Sequence, residues 1–221
     1  GMQQFLMVFY VVFFSTGFMG GAALILLGIR VRSRLSRPLL LFQLLFLVGS
    51  GLLLVYFAAQ QSGSLGGALE GILIAVIMST NLAIWGIVIV IIRRVAPPRG
   101  NGKRNPALVA QILSLLVILK TAANIVVMVT APATAAEDAW LLGTHMLVAL
   151  AMASFGIVLR GPVNRKEPSA IHPLLKAYGT LAIVMAPLGF VMRRRARNSH
   201  YFNQKNYGRR IERKNFSSCK T

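Results

Sequence analysis

Polar and apolar positions segregate along this chain on a scale of about twenty residues, the length a helix needs to cross a ~30 Å hydrocarbon layer. Six apolar blocks are legible, at about 4–29, 38–59, 68–92, 107–130, 140–159 and 171–192, separated by short basic or Gly/Ser-containing joints. Pro38 opens the second block, where its missing N–H is harmless because the first turn of a helix has no internal partner for it. The joint from Arg93 to Pro106 is crowded with Pro, Gly and Asn and reads as a loop. The sixth block is the weakest. His172, Pro173 and Lys176 interrupt its start and Pro187 its body, leaving about sixteen clean residues where a perpendicular helix wants ~20. The expected fold is all-α: a polytopic transmembrane helical bundle of six predicted helices over residues 1–192. A basic tail, 193–221, follows. It has no sustained apolar period and is expected to be disordered.

Composition agrees with that reading. Hydrophobic residues make up 56% of the 221 positions and charged residues 13%, about half the roughly 25% of a soluble domain. The net charge of +19 raises the question of nucleic acid, but its distribution answers it. The basic residues sit in joints beside spanning segments and in the tail, which is a topology signal. Direct nucleic-acid binding is not expected; the bilayer and its anionic headgroups are the partners such joints and such a tail imply.

Arg30, Arg32, Arg34 and Arg37 fill the first joint, Arg93, Arg94, Arg99, Lys103 and Arg104 the third, and Arg160, Arg165 and Lys166 the fifth. The second and fourth joints carry none. Odd joints therefore belong to the cytoplasm and the N-terminus lies outside, in a bacterial inner (plasma) membrane, with Trp140 at the outer interface. The tail conflicts with this frame. Six crossings leave it outside, yet it begins Arg193-Arg-Arg-Ala-Arg197. Three explanations stand: a sixth block that does not fully cross, a seventh helix that this chain lacks, or a tail translocated against the charge rule.

Few polar residues fall inside the blocks. Ser15, Thr16, Ser50, Ser79, Thr80 and Ser154 can bond to their own helix backbone. Gly17, Gly20 and Gly21, and the Gly67-x-x-x-Gly71 pair, suit close helix approach. Gln43 and Gln111 read as hydrogen-bonding links between helices, and Asn81 with Trp85 either as packing or as a pocket floor. Glu70, Lys120, Asn124 and His145 are the candidate ligand-binding residues. All four fall in the outer half of the bundle, and Lys120 and Asn124 share a helix face. An ionisable residue at such depth should turn inward and find a partner, and a Glu70–Lys120 pair is one arrangement. The bland alternative is that Lys120 reaches outward along its stem and His145 is an interfacial residue.

Catalysis is not indicated. There is no His-Glu-x-x-His, no Gly-x-Ser-x-Gly and no aspartate pair at catalytic spacing. The single cysteine, Cys219, rules out an intrachain disulfide, and His145, His172 and His200 lack zinc-site spacing. No cofactor or metal is expected. A retinal lysine would lie deep in the last helix, whereas Lys176 is near the start of its block.

The outward N-terminus, the short basic joints and the stretch His172-Pro-Leu-Leu-Lys-Ala-Tyr-Gly179 resemble the seven-helix membrane sensor regions at the N-terminus of some bacterial LuxR-type regulators. The resemblance covers Met2 to about Met192 and implies a sensory module. The chain departs from that group in having neither a seventh block nor a helix-turn-helix pattern, so it would be a sensor portion, a truncated seven-helix module. No site residue carries over. The function this implies is signal transduction: a small or lipophilic ligand enters from the outer side and shifts the balance between two helix packings. Two alternatives remain: a small transporter or channel subunit, and a scaffold subunit whose basic tail binds anionic lipid. A homo-oligomer is compatible with each.

Overall fold

The computed structural model of the chain describes residues 35–62, 68–96, 105–130, 136–163 and 168–187, with scattered positions between Val8 and Leu26, and Val191. Among them all regular structure is helical. Helix α1 spans Ser36–Gln61, α2 Ala68–Val95, α3 Pro106–Thr130 and α4 Ala136–Arg160. A 3₁₀ turn at Ser169–Ile171 leads into α5, residues 172–187. Four segments are long and apolar enough to cross a membrane: Ser36–Tyr56, Leu69–Val95, Pro106–Val126 and Ser169–Pro187. The chain is thus a helical membrane protein by its described residues. The described apolar part of α4, Thr144–Arg160, falls short of spanning length. The first block and the tail, 193–221, lie largely or wholly outside the described residues, so four spans stand where six were expected.

The boundaries follow from local chemistry. Asn105 caps α3: its Oδ1 accepts the Ala107 N–H at 3.1 Å, and Pro106 fills the first helical position. Pro38 lies in the first turn of α1, as its geometry requires. Pro173, expected to interrupt the start of the sixth block, lies in the first turn of α5, which runs unbroken from there to Pro187; residues 188–190 lie outside the described residues. Pro173 occupies the first α-helical turn, where the ring displaces no hydrogen bond. The 3₁₀ turn before it, entered from an extended Pro168, adds the length that the clean apolar count lacked.

Consecutive helices pack antiparallel. Gly49 of α1 sits beside Thr80 and Ile84 of α2, and Tyr56 reaches Glu70 at the other end of the same pair. Helix α3 packs on α2 and α4, and α4 also touches α2. This arrangement gathers Arg37, Arg93, Arg94 and Arg160 at one end of the bundle, called here the basic end. The main apolar core lies at that end. Leu35, Ile91, Ile92, Val95, Leu159 and Leu175 are essentially inaccessible there. Outward faces are also apolar: Leu41, Leu44, Val48, Leu108, Ile112 and Leu119 are all exposed, as expected for helices that meet hydrocarbon chains instead of water.

Side-chain hydroxyls inside the helices bond locally. Ser79, Thr80 and Ser154 donate to the carbonyls of Ala75, Val76 and Leu150, each at 2.8 Å. Ser114 and Thr180 do the same. The backbone supplies the nearest acceptor, and a membrane interior offers no competing water.

Candidate functional site

Two glycines on different helices set the geometry. Gly156 of α4 and Gly179 of α5 cross backbone to backbone. A Cβ added to either would lie 2.6 Å from the carbonyl oxygen of the other. No side chain fits there, so the two helices approach as closely as their backbones allow, the small-residue contact that membrane bundles use in place of a hydrophobic driving force. Gly71, expected to serve such a contact, faces open space: a Cβ added there would meet nothing within 4 Å. Gly67, the other member of that expected pair, lies outside the described residues; the backbone contact seen joins glycines on two helices.

Just past this crossing, away from the basic end, α1, α4 and α5 line a cavity of about 70 Å³. Phe42 and Phe46 of α1, Met152 and Phe155 of α4, and Leu181 and Met185 of α5 wall it. The Phe42 ring lies 6.0 Å from Phe155 and 6.2 Å from Phe46, centroid to centroid. Val12 and Ala182 complete the lining. At 1.5 Å per residue the cavity begins about 10 Å from the start of α1, so it sits at mid-depth in a ~30 Å layer.

Its polar component is one pair. Gln43 is 2% exposed, and its Nε2 donates a hydrogen bond to the Tyr178 hydroxyl oxygen. The other half of the amide, Gln43 Oε1, is buried with no hydrogen-bond partner. A buried amide oxygen left so costs about 1–3 kcal/mol, which makes it the most expensive polar atom of the wall. Gly20 makes the pair possible. A side chain there would collide with the Tyr178 hydroxyl, and its Cβ would stand 2.9 Å from Tyr178 Cζ. Of the three glycines grouped in the first block, Gly20 is the described one, and it serves the close approach expected of it.

The four residues singled out from the sequence lie elsewhere. None lines the cavity. Glu70 is half-buried in the first turn of α2, where its Oε1 accepts a long hydrogen bond, 3.4 Å, from the Tyr56 hydroxyl. Lys120 is half-buried on α3 and Asn124 buried four residues on; His145 is half-buried on α4 beside the buried Thr144. Lys120, Asn124, Thr144 and His145 each have an interaction partner. These groups belong to the end of the bundle opposite the arginines. Trp85 is core at 4% exposure, while Asn81 is exposed, so the two do not form a common floor.

Sequence reasoning places Gln43 among links between helices and gives Tyr178 no role of its own. The available signal is a lone amide in the run Leu39-Leu-Leu-Phe-Gln-Leu-Leu-Phe46. A group that costly inside hydrocarbon is retained only with a partner or a task. No family model, curated protein or solved structure matches the chain.

Proposed function

We propose that this chain is a sensory module of a bacterial inner membrane, which takes a small or lipophilic ligand into the cavity between α1, α4 and α5 and passes its occupancy to the basic end. The observation that carries this reading is the cavity itself. It is walled by aromatic and methionine side chains, adjoins the backbone contact of Gly156 with Gly179, and includes a buried amide oxygen without a partner. Apolar walls with few polar groups are the usual make-up of a small-molecule site.

The crossing supplies the transmission. Gly156 and Gly179 hold α4 and α5 at a fixed point, so a guest that spreads α5 from α1 on one side of it must tilt α5 on the other. That other side carries Arg160 and the 3₁₀ turn. A ligand achieves this only through unequal affinity for the two packings. A full switch of population needs about 5.5 kcal/mol of such difference, and a partial signal needs proportionately less. Positive charge at the basic end favours the cytoplasmic side for it, where an output would be read. Entry from the outer side suits the sparser packing of the opposite end.

The test uses the full chain in lipid nanodiscs with spin labels on Ile157 and Val184, both exposed positions, one on each helix of the crossing. Saturating ethanol should shift the inter-label distance distribution. An unchanged distribution at demonstrated occupancy of the cavity would remove the signalling role. Solute flux through liposomes carrying the chain would favour a transporter instead.

A further inference from the structure

We infer that the ligand of this cavity is a hydroxyl-bearing molecule with a short linear apolar tail, its hydroxyl bound between Gln43 and Tyr178. The inference rests on the ligand-binding reading above and names the ligand's chemistry. Gln43 Nε2 donates to the Tyr178 oxygen, so two hydrogen-bonding functions of the pair remain: the lone pairs of Gln43 Oε1 and the Tyr178 O–H proton. One is an acceptor and one a donor. A hydroxyl answers both with a single oxygen, donating to Oε1 and accepting from Tyr178. A carbonyl, an ether or a hydrocarbon leaves Oε1 without a donor. A carboxylate or an ammonium would bring an uncompensated charge, since among the described residues no ionised side chain lines the cavity.

Volume sets the tail. About 70 Å³ is several times the 10–15 Å³ that one water needs and about half of the 150 Å³ that admits benzene. A chain of about two carbons beside the hydroxyl fits that interval, enclosed by Phe46, Met152, Leu181 and Met185. The thioethers of Met152 and Met185 adapt to such a chain at little cost.

Two isomers separate the alternatives. Ethanol and dimethyl ether have the same atoms, but the ether has no donor. The full chain, carrying ¹³C-methyl methionine in lipid nanodiscs, is titrated with each at matched bilayer concentration. The Met152 and Met185 methyls report the cavity, and the exposed Met146 reports non-specific partitioning. Ethanol should shift the two cavity methyls saturably, at roughly tenfold lower concentration than the ether, as one to two buried hydrogen bonds predict. Tyr178→Phe and Gln43→Leu should each erase most of that preference while the ether still binds. Equal binding of the isomers to the unmodified chain overturns the hydroxyl assignment and leaves the cavity as a ligand site; water satisfying Oε1 would give that result. A preference that survives both substitutions overturns it as well. Selective shifts from neither isomer overturn the ligand-binding reading and the hydroxyl assignment together.

Discussion

The two ends of this bundle are built differently. At the basic end, α1 to α5 close around an apolar core in which Leu35, Ile91, Val95, Leu159 and Leu175 are essentially inaccessible. Toward the other end, no described side chain of α1 beyond Ser50, or of α2 before Trp85, is buried. What is buried there on α3 and α4 is polar: Thr121, Asn124 and Thr144. Hydrocarbon gives helices no solvent-driven reason to associate, so packing and hydrogen bonds must do it. Among the described residues, one end relies on close packing and glycine contact, and the other buries polar side chains. The cavity lies where one regime gives way to the other. A closely packed end is stiff and conveys displacement, and a sparse one yields.

The sharpest challenge to this contrast is at the glycine crossing. Gly156→Leu or Gly179→Leu must push a side chain into a backbone carbonyl, and should cost upwards of about 3 kcal/mol or prevent folding. Gly86→Leu and Gly71→Leu, where a Cβ meets nothing within 4 Å, should stay within about 0.5 kcal/mol. Reversible unfolding in bicelles measures both, and equal losses at all four positions would break the comparison.

Next in size is Phe155→Ala, which removes a ring that is 3% exposed and packed on Phe42. About 3 kcal/mol should be lost in the same assay, with the cavity enlarged. Leu119→Ala, on the outward face of α3, is the control and should change stability by no more than a few tenths of a kcal/mol.

A smaller effect tests the link between the first segment and the cavity. Gly20→Val should displace Tyr178 and cost about 1–2 kcal/mol. Because the collision is with the hydroxyl, Tyr178→Phe in the same chain should recover part of that loss. The coupling in a double-mutant cycle is the quantity to read, and strict additivity would mean that Gly20 and Tyr178 do not meet.

The smallest expected change is at the sparse end. Tyr56→Phe removes one long hydrogen bond to Glu70 and should cost about 0.6 kcal/mol or less. A loss above about 2 kcal/mol would show that this end is held more tightly than its burial indicates.

Much of the architecture is legible in the sequence. The blocks at about 38–59, 68–92 and 107–130 correspond to Ser36–Gln61, Ala68–Val95 and Pro106–Thr130 within a few residues, because a long apolar run has one way to satisfy its backbone in hydrocarbon. The sixth block is underestimated because a proline count ignores where in the helix the ring falls. Pro173 is in the first turn and Pro187 closes the described run. The site is not legible in the same way. Glu70, Lys120, Asn124 and His145 stand out because charge and polarity stand out in an apolar sequence. The cavity is made of residues that look like every other Phe, Met and Leu in the chain.

By itself, the sequence determined that this protein is helical, that its helices are of membrane-spanning length, and that its positive charge collects between them. Each follows from composition over about twenty residues, a property local to one segment. Only the tertiary structure decided that Gly156 meets Gly179, that Gly20 admits Tyr178 to Gln43, and that a void remains between Phe42 and Met185. Those outcomes depend on which helix faces join. In a chain apolar on every side, no amphipathic stripe records that choice in advance; close packing at a few small residues makes it.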